Sequence, residues 1–404
     1  MRTRWIQDDI KTAAALLREG ELVAVPTETV YGLAGNGLDE RAVQAIYEVK
    51  GRPAVKPLSL MVPGAEAMRL YCEDIPPQAY ALAARFWPGP LTLVMKARPA
   101  VPEIVRAGGE TVGLRCPDHP LTLALLREAG VPFAAPSANP SGAESPKTAQ
   151  AVRDYFDGRI AAVVDGGPCG LGRESTLLDL SRTPYRVLRR GALGEEEIAA
   201  ALADGMTVIG LTGPSGAGKT TALREIEALG GLVLDCDAVY HELLETDGAL
   251  LRELDAAFPG AVSGGRLDRK ALGAQVFSDP AALGRLNALT HRFVSAEVER
   301  RLHAWAMAGG RLAAVDAIAL VESGLAARCT ATVAVLAPRE TRIERIMARD
   351  GIDRQAAERR VDAQRDDAFF TQHCTYTAVN DGDSAAFARS FRTILGTINK
   401  GDIS

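Results

Sequence analysis

Residues 213–220 read GPSGAGKT. Gly213, Gly216 and Gly218 free the backbone so that its N–H groups can close around phosphate oxygens. Lys219 supplies a cation for the outer phosphates, and the Thr220 hydroxyl can ligate Mg²⁺. Ala217 and Thr221 extend the same nucleotide-binding set. The apolar run TVIGLTG precedes the motif and a helical pattern follows it, so phosphate would meet the positive end of a helix. Asp237 lies eighteen residues after Lys219, with Asp235 two residues before it. A carboxylate at such a strand end can take a proton from an attacking hydroxyl, hold the metal, or simply cap a helix.

The first half holds no such loop. Its chemistry-bearing residues are scattered over short motifs at strand ends. PTETVYGLA (26–34) carries Thr27 and Thr29, and KGRPAVKPLS (50–59) carries Lys50, Arg52 and Lys56. GLRCPDHP carries Arg115, PSANPSG carries Ser137 and Asn139, RESTLLDL carries Ser175, and VLRRGAL carries Arg189 and Arg190. Cations beside hydroxyl-rich loops suggest a site for a polyanion and a small polar acid. The residues alone say "anion site" and no more.

The elements that must position these groups are α/β. In the first half, Lys11–Arg18 and Arg41–Glu48 have helical spacing. Strands are expected at ELVAV, LSLMV, LTLVMKA, TVGLRC, AAVVDGG, STLLDL and VLRRG, with PSANPSGAESPKT a loop. In the second half the runs TVIGLTG, GLVLDCD, RLAAVDAI, ATVAVLA and TYTAVN alternate with helical stretches, which predicts a doubly wound parallel sheet. A seam falls near residue 205, where an acid-led helix ends at Gly205. Met206 stands where a free-standing chain could begin, or is a core residue. The expected domains are 1–205 and 206–404.

The chain has 404 residues, 47% hydrophobic and 24% charged, with a formal net charge of −5. That is too apolar for a disordered chain and argues against wholesale wrapping of nucleic acid. Six widely spaced cysteines and five scattered histidines form neither a disulfide framework nor a zinc site. They read as reduced thiols in a cytoplasmic protein. No stretch is apolar enough for a membrane span.

Residues 6–200 resemble the Sua5/YrdC/YciO family. PTETVYGLA, WPGPLTLV (87–94), GLRCPDHP and APSANPSG carry the resemblance, together with the KxR…SxN signature Lys50, Arg52, Ser137 and Asn139. It implies a twisted mixed sheet with helices. It also implies synthesis of L-threonylcarbamoyladenylate from L-threonine, bicarbonate and ATP, for threonylcarbamoyladenosine formation in tRNA. Carried over by motif, Thr29, Arg115, Ala135 and Ser175 would hold threonine. Arg52, Lys56, Thr111, Ser137, Asn139, Ser145 and Arg189 would hold ATP, with Lys50 and Arg52 catalytic. Met61 stands where longer members have a histidine. The family's associations add weak RNA binding and a downstream tRNA-modifying complex as partners, and no membrane.

Residues 206–398 resemble dephospho-CoA kinase. The P-loop, the DCD pair, GGRLDRKALGAQVF (264–277), LNALTH (286–291) and the segment 340–364 carry that resemblance. It implies a helical lid and acceptor region, and phosphorylation of the ribose 3′-hydroxyl of dephospho-CoA by Mg²⁺-ATP. Asp237 would be the base, Asp235 a helper, and Lys219 catalytic with the P-loop. Lid arginines among Arg345, Arg349 and Arg360 would neutralise the transferring phosphate, with Arg349 and Arg360 favoured. Arg292, Arg342 and Pro214 depart from the family pattern, as does the segment DAIALVE (316–322), which keeps the family's Asp316 and Glu322 but not the PLL core between them. The competing reading is an RNA-binding first half fused to a diverged kinase of another acceptor.

Overall fold

The computed structural model describes residues 2–401. Two compact units emerge. One comprises the described residues up to Gly205 with Met307–Gly309, and the other is the remainder from Met206. The Met206 side chain is buried, 6% exposed. Among the described residues no helix is long and apolar enough to cross a membrane.

The first unit is built on β1 (Arg4–Ile6), β2 (Val23–Val25), β3 (Gly32–Asn36), β4 (Ser59–Met61), β5 (Leu91–Lys96), β6 (Thr111–Arg115), β7 (Phe133–Ala134), β8 (Ala162–Val164), β9 (Thr176–Asp179) and β10 (Arg186–Arg189). They form one mixed sheet in the order β1-β8-β2-β3-β7-β4-β6-β5-β9-β10. The sequence reading lacked β1, β3 and β7. β3 is GLAGN, poor in strand formers. It is strand because β2 and β7 bond it on both sides and bury it.

One helix places much of the first site. Glu40–Lys50 starts at Asp39, which accepts the Arg41 backbone N–H at 2.9 Å. It buries Val43, Ile46, Tyr47 and Lys50 on one stripe and stops at Gly51, whose φ of 57° is a left-handed cap. That stop turns the chain into the 51–57 loop that carries Arg52.

The second unit is built on β11 (Thr207–Thr212), β12 (Leu232–Asp235), β15 (Leu312–Asp316), β16 (Ala331–Leu336) and β17 (Tyr376–Val379), with a separate hairpin of β13 (Val262–Ser263) and β14 (Arg266–Leu267). The five-stranded sheet runs β12-β15-β11-β16-β17, parallel throughout. Helices cover the sheet, so β11 and β16 are near-continuous apolar runs. Ile209, Leu211, Val333, Val335, Phe387 and Phe391 share its core. The phosphate loop leaves β11 and enters the helix Lys219–Ala228. Gly213 sits at φ 138°, and a Cβ there would lie 2.1 Å from the Val335 carbonyl oxygen of β16. Only glycine fits.

The six cysteines are free. Burial pushes Cys236 and Cys329 up to about 12 from 9.0. Below pH 9 both folded and unfolded chains keep these protons. Above it the unfolded thiols ionise first, so unfolding releases protons and stability falls as pH rises from 9 toward 12. The limiting slope is about 1.4 kcal/mol per pH unit for each thiol. Lys50, pushed down to about 8 by burial, acts in the opposite sense in the first unit. The second unit therefore gives the cleaner test. Its Tm should fall less steeply between pH 9 and 11 in a Cys236→Ala, Cys329→Ala variant than in the parent, and equal slopes would refute the linkage.

Candidate active sites

In the first unit a cavity opens on the sheet, lined from β3 across to β10. Arg52 reaches it from the 51–57 loop, Met61 from β4, Thr92 from β5, and Arg115 from the last position of β6. Ala135 and Ser137 follow β7, Glu174 and Ser175 precede β9, and Arg189 ends β10. Three guanidinium groups thus converge on one depression. Burial lowers the pKa of Arg52 and of Arg189, and the Glu174 charge opposes both shifts.

Each arginine is held from behind. Arg115 Nη2 donates to Glu28 Oε1 at 2.7 Å and to Thr29 Oγ1 at 2.8 Å, and its Nε donates to the Gly89 carbonyl at 3.3 Å. Arg189 donates through Nε and Nη2 to the Ser175 carbonyl and through Nη2 to Ser175 Oγ. Ser175 Oγ also shares a hydrogen bond with Thr92 Oγ1. Arg52 donates to the carbonyls of Lys56 and Pro57.

Several expected site residues stand elsewhere. Lys50 is 3% exposed, and its Nζ donates to the carbonyls of Ser137 and Asn139. Its ammonium ties down the SxN loop instead of lining the cavity. The Asn139 amide is likewise spent on the loop, donating to the carbonyls of Pro140 and Ala143. Thr29 is fully buried beneath Arg115 and shares a hydrogen bond with Thr27. The Lys56 side chain is exposed on the loop. Thr111 lies at the opposite end of β6 from Arg115, outside the lining. Ser145 touches the rim through Glu174. The KxR…SxN signature is therefore one assembly, in which Lys50 fixes the loop and Arg52 and Ser137 face the cavity. Lys50→Ala leaves two carbonyls without their donor and should cost about 2–4 kcal/mol of stability, read by denaturant unfolding. An unchanged midpoint would show the tie to be idle.

Sequence reasoning passed over Glu28 and Glu174, although both lie inside motifs it quoted. The signal was a carboxylate placed within an otherwise cationic set.

In the second unit a cavity is lined by Ser215, Gly216, Gly218, Lys219 and Thr220, by Asp235, Asp237 and Asp316, and by Arg345 and Arg349. Gly213, Ala217 and Thr221 do not line it. Lys219 Nζ donates to the Gly213 carbonyl at 3.2 Å and lies 3.8 Å from Asp316 Oδ1. Burial raises the Asp316 carboxyl to about 6, against the pull of Lys219. Asp316 ends the apolar run LAAVD beside Asp235, its in-register neighbour. It heads the segment DAIALVE and lies outside the residues that the motifs assign to the site.

Asp235 caps the helix Cys236–Thr246, accepting from the backbone N–H groups of Asp237 and Ala238. Asp237 rides in the first turn of that helix. A second, more apolar cavity lies beside the first, lined by Asp237, Tyr240, His291, Val294, Ile318 and Leu325 among others. Asp237 borders both cavities.

The expected lid arginines divide. Arg349 lines the phosphate cavity while paired with Asp350 at 2.8 Å. Arg360 also pairs with Asp350 but does not line that cavity. Arg345 donates to the carbonyls of Gly216 and Ala217 and to Asn380 Oδ1. Arg342, only 6% exposed, donates to the Ser215 carbonyl and to Gln364 Oε1. Gln364 Oε1 in turn accepts the Ser215 N–H. These two arginines brace the phosphate loop.

A family profile for Sua5_yciO_yrdC, described as "Telomere recombination", matches residues 15–191. One for dephospho-CoA kinase matches residues 207–386. A threonylcarbamoyl-AMP synthase of Bacillus subtilis is 50% identical over 194 residues, 48% of this chain and 56% of that protein. The chain thus spans little more than half of that relative's length. A Mycobacterium tuberculosis relative, grouped by name with the threonylcarbamoyl-AMP synthases, is 36% identical over 193 residues, 48% of this chain and 88% of that protein. The dephospho-CoA kinase of Deinococcus radiodurans is 47% identical over 148 residues, 36% of this chain and 70% of that protein. The chain belongs to both families, to the threonylcarbamoyl-AMP synthases through its first part and to the dephospho-CoA kinases through its second.

Proposed function

We propose that the chain is bifunctional. Its first unit makes L-threonylcarbamoyladenylate from L-threonine, bicarbonate and ATP, and its second phosphorylates dephospho-CoA at the ribose 3′-hydroxyl. The observation that carries this reading is that each unit has its own cavity lined by cations from its family motifs, Arg52, Arg115 and Arg189 in the first and Lys219 and Arg349 in the second.

In the first reaction, threonylcarbamate is a carboxylate that attacks the α-phosphate of ATP. A new P–O bond forms, the α–β bond breaks, and pyrophosphate leaves. Both reactants are anions. Arg52 and Arg189 offset that repulsion and stabilise the charge that develops on phosphorus. Arg115, oriented by Glu28 and Thr29, grips the threonine carboxylate. Ala135 and Ser175 bound the threonine pocket, and Met61 occupies the place of the longer members' histidine. No covalent nucleophile is required. The product would serve threonylcarbamoyladenosine formation in tRNA, through a downstream tRNA-modifying complex.

In the second reaction Asp237 accepts the proton of the 3′-hydroxyl as that oxygen bonds to the γ-phosphorus and ADP departs. Lys219 and Arg349 hold phosphate oxygens. The oxygen donors Thr220 and Asp316 suit a hard cation such as Mg²⁺, and Asp316 Oδ1 is buried without a hydrogen-bond partner. Bound there with ATP, Mg²⁺ would neutralise charge on the β- and γ-phosphates. Among the described residues no three His, Cys, Asp or Glu converge as a metal cage. That is compatible with an ion held mainly by substrate phosphates and water. Six free cysteines support a reducing, cytoplasmic setting.

The full chain should be incubated with ATP, L-threonine, bicarbonate and dephospho-CoA, and the products resolved by mass. Threonylcarbamoyl-AMP with pyrophosphate, and CoA with ADP, are the expected pairs. Salt-sensitive RNA retention without pyrophosphate release would make the first unit an RNA module instead. ATP binding with no CoA formed would leave the second unit with another acceptor.

A further inference from the structure

Among the described residues lining the first cavity, Glu174 brings a carboxylate to a site otherwise supplied with guanidinium and hydroxyl groups. Its Oε2 lies 2.6 Å from Arg189 Nη1, and its Oε1 accepts from Ser145 Oγ at 3.3 Å. Arg189 and Ser145 are both candidates for holding ATP. The geometry points to Glu174 as an internal anion, which fills the polyphosphate site when it is empty, yields to the triphosphate of ATP, and returns to displace pyrophosphate.

Three observations support this. First, the pair is close but open to water. The side chains of Arg189 and Glu174 are 43% and 36% exposed, and ion pairs that open to water are weak. A polyanion can therefore replace the carboxylate at small cost. Second, Arg189 does not need Glu174 to hold its place, because its Nε and Nη2 stay bonded to the Ser175 carbonyl. The carboxylate is thus dispensable for positioning and acts through its charge. Third, that charge reaches Lys50, Arg52 and Arg189 alike, each of which it stabilises in the protonated form. Meanwhile the Glu174 backbone is pinned by the Ala192 N–H at 2.8 Å, so only its side chain has to swing.

The exchange bears on turnover. Arg52 and Arg189, which attract ATP, also retain pyrophosphate, and a site with no internal competitor would release product slowly. A carboxylate on a short arm is at high effective concentration and takes the cation back as the product loosens.

The inference rests on the adenylation reading, and the test separates the two. Pyrophosphate and ATP are titrated calorimetrically into the full chain and into its Glu174→Gln and Glu174→Ala variants, all carrying Lys219→Ala to weaken nucleotide binding at the second unit's phosphate loop, and steady-state pyrophosphate release is followed. Glu174→Gln keeps the shape and loses the charge. It should bind pyrophosphate about tenfold more tightly, lower KM for ATP, and lower kcat as product release becomes limiting. Glu174→Ala should show the same direction, which guards against a local fault of the amide. Unchanged or weakened pyrophosphate affinity in both variants overturns the inference. Weakened affinity that depends on Mg²⁺ overturns it too, and makes Glu174 a metal-holding group. A parent chain that binds neither anion at this site removes the adenylation reading, and the inference with it.

Discussion

Asp237→Asn lowers phosphoryl transfer to dephospho-CoA by about 10²–10⁴ and leaves ATP affinity nearly unchanged. A ribose hydroxyl is a poor nucleophile at neutral pH and needs a carboxylate to orient it and accept its proton. Asp237 borders both the phosphate cavity and the more apolar cavity beside it, where donor and acceptor would meet. Asn keeps the volume and loses the basicity. Asp235 is a different case because its Oδ1 is spent on the helix cap. Asn caps as well as Asp, so Asp235→Asn should keep the fold and cost much less activity. Lys219→Ala should impair nucleotide binding as well as transfer. Single-turnover transfer with isothermal titration of ATP distinguishes the three. Full turnover in Asp237→Asn beside a dead Asp235→Asn would reverse the assignment.

Arg52→Ala lowers kcat for threonine-dependent pyrophosphate release by about 10²–10³, the scale for losing one preorganised electrostatic donor. The Arg52 guanidinium lines the first cavity and, among the described residues, hydrogen-bonds the carbonyls of its own loop, Lys56 and Pro57. Its removal therefore takes away cation without exposing a buried partner. Arg115→Ala would be a poorer probe, since it strands the Glu28 carboxylate. Arg52→Lys should recover little, because the planar fork and not charge alone meets phosphate. Phosphoryl transfer to dephospho-CoA, measured on the same preparation, should be unchanged. A parallel loss of both reactions would refute a local role for Arg52.

The parallel sheet and the phosphate loop were legible because long apolar runs and a fixed glycine spacing encode them locally. β3 was not, since its two glycines make strand only when neighbours enforce it. The candidate residues were legible by type, but not by the direction of their side chains. Lys50 shows why. Counting by cations makes it a ligand group, yet it follows Val43, Ile46 and Tyr47 on the buried stripe of its helix, a pattern present in the sequence. Asp235 read equally well as helper and as cap, and only the backbone position of the helix Cys236–Thr246 separates the two. Glu174 is legible only once the fold brings its distant partners Arg189 and Ser145 beside it.

The brace formed by Arg342, Arg345 and Gln364 has a kinetic consequence. The phosphate loop is held in shape by carbonyls that donors on the helix Arg339–Asp350 already satisfy, before any nucleotide arrives. Little chain ordering then remains for binding to supply, so nucleotide capture should be a single rapid phase limited by encounter. The same cross-links make that helix a lever with a fixed end. Its first turns are fastened to the loop, while Arg349 at its last turn shares Asp350 with Arg360 of the next helix. Any closing stroke over the phosphates must pivot between these two attachments, with the distal arginines travelling and the loop staying still.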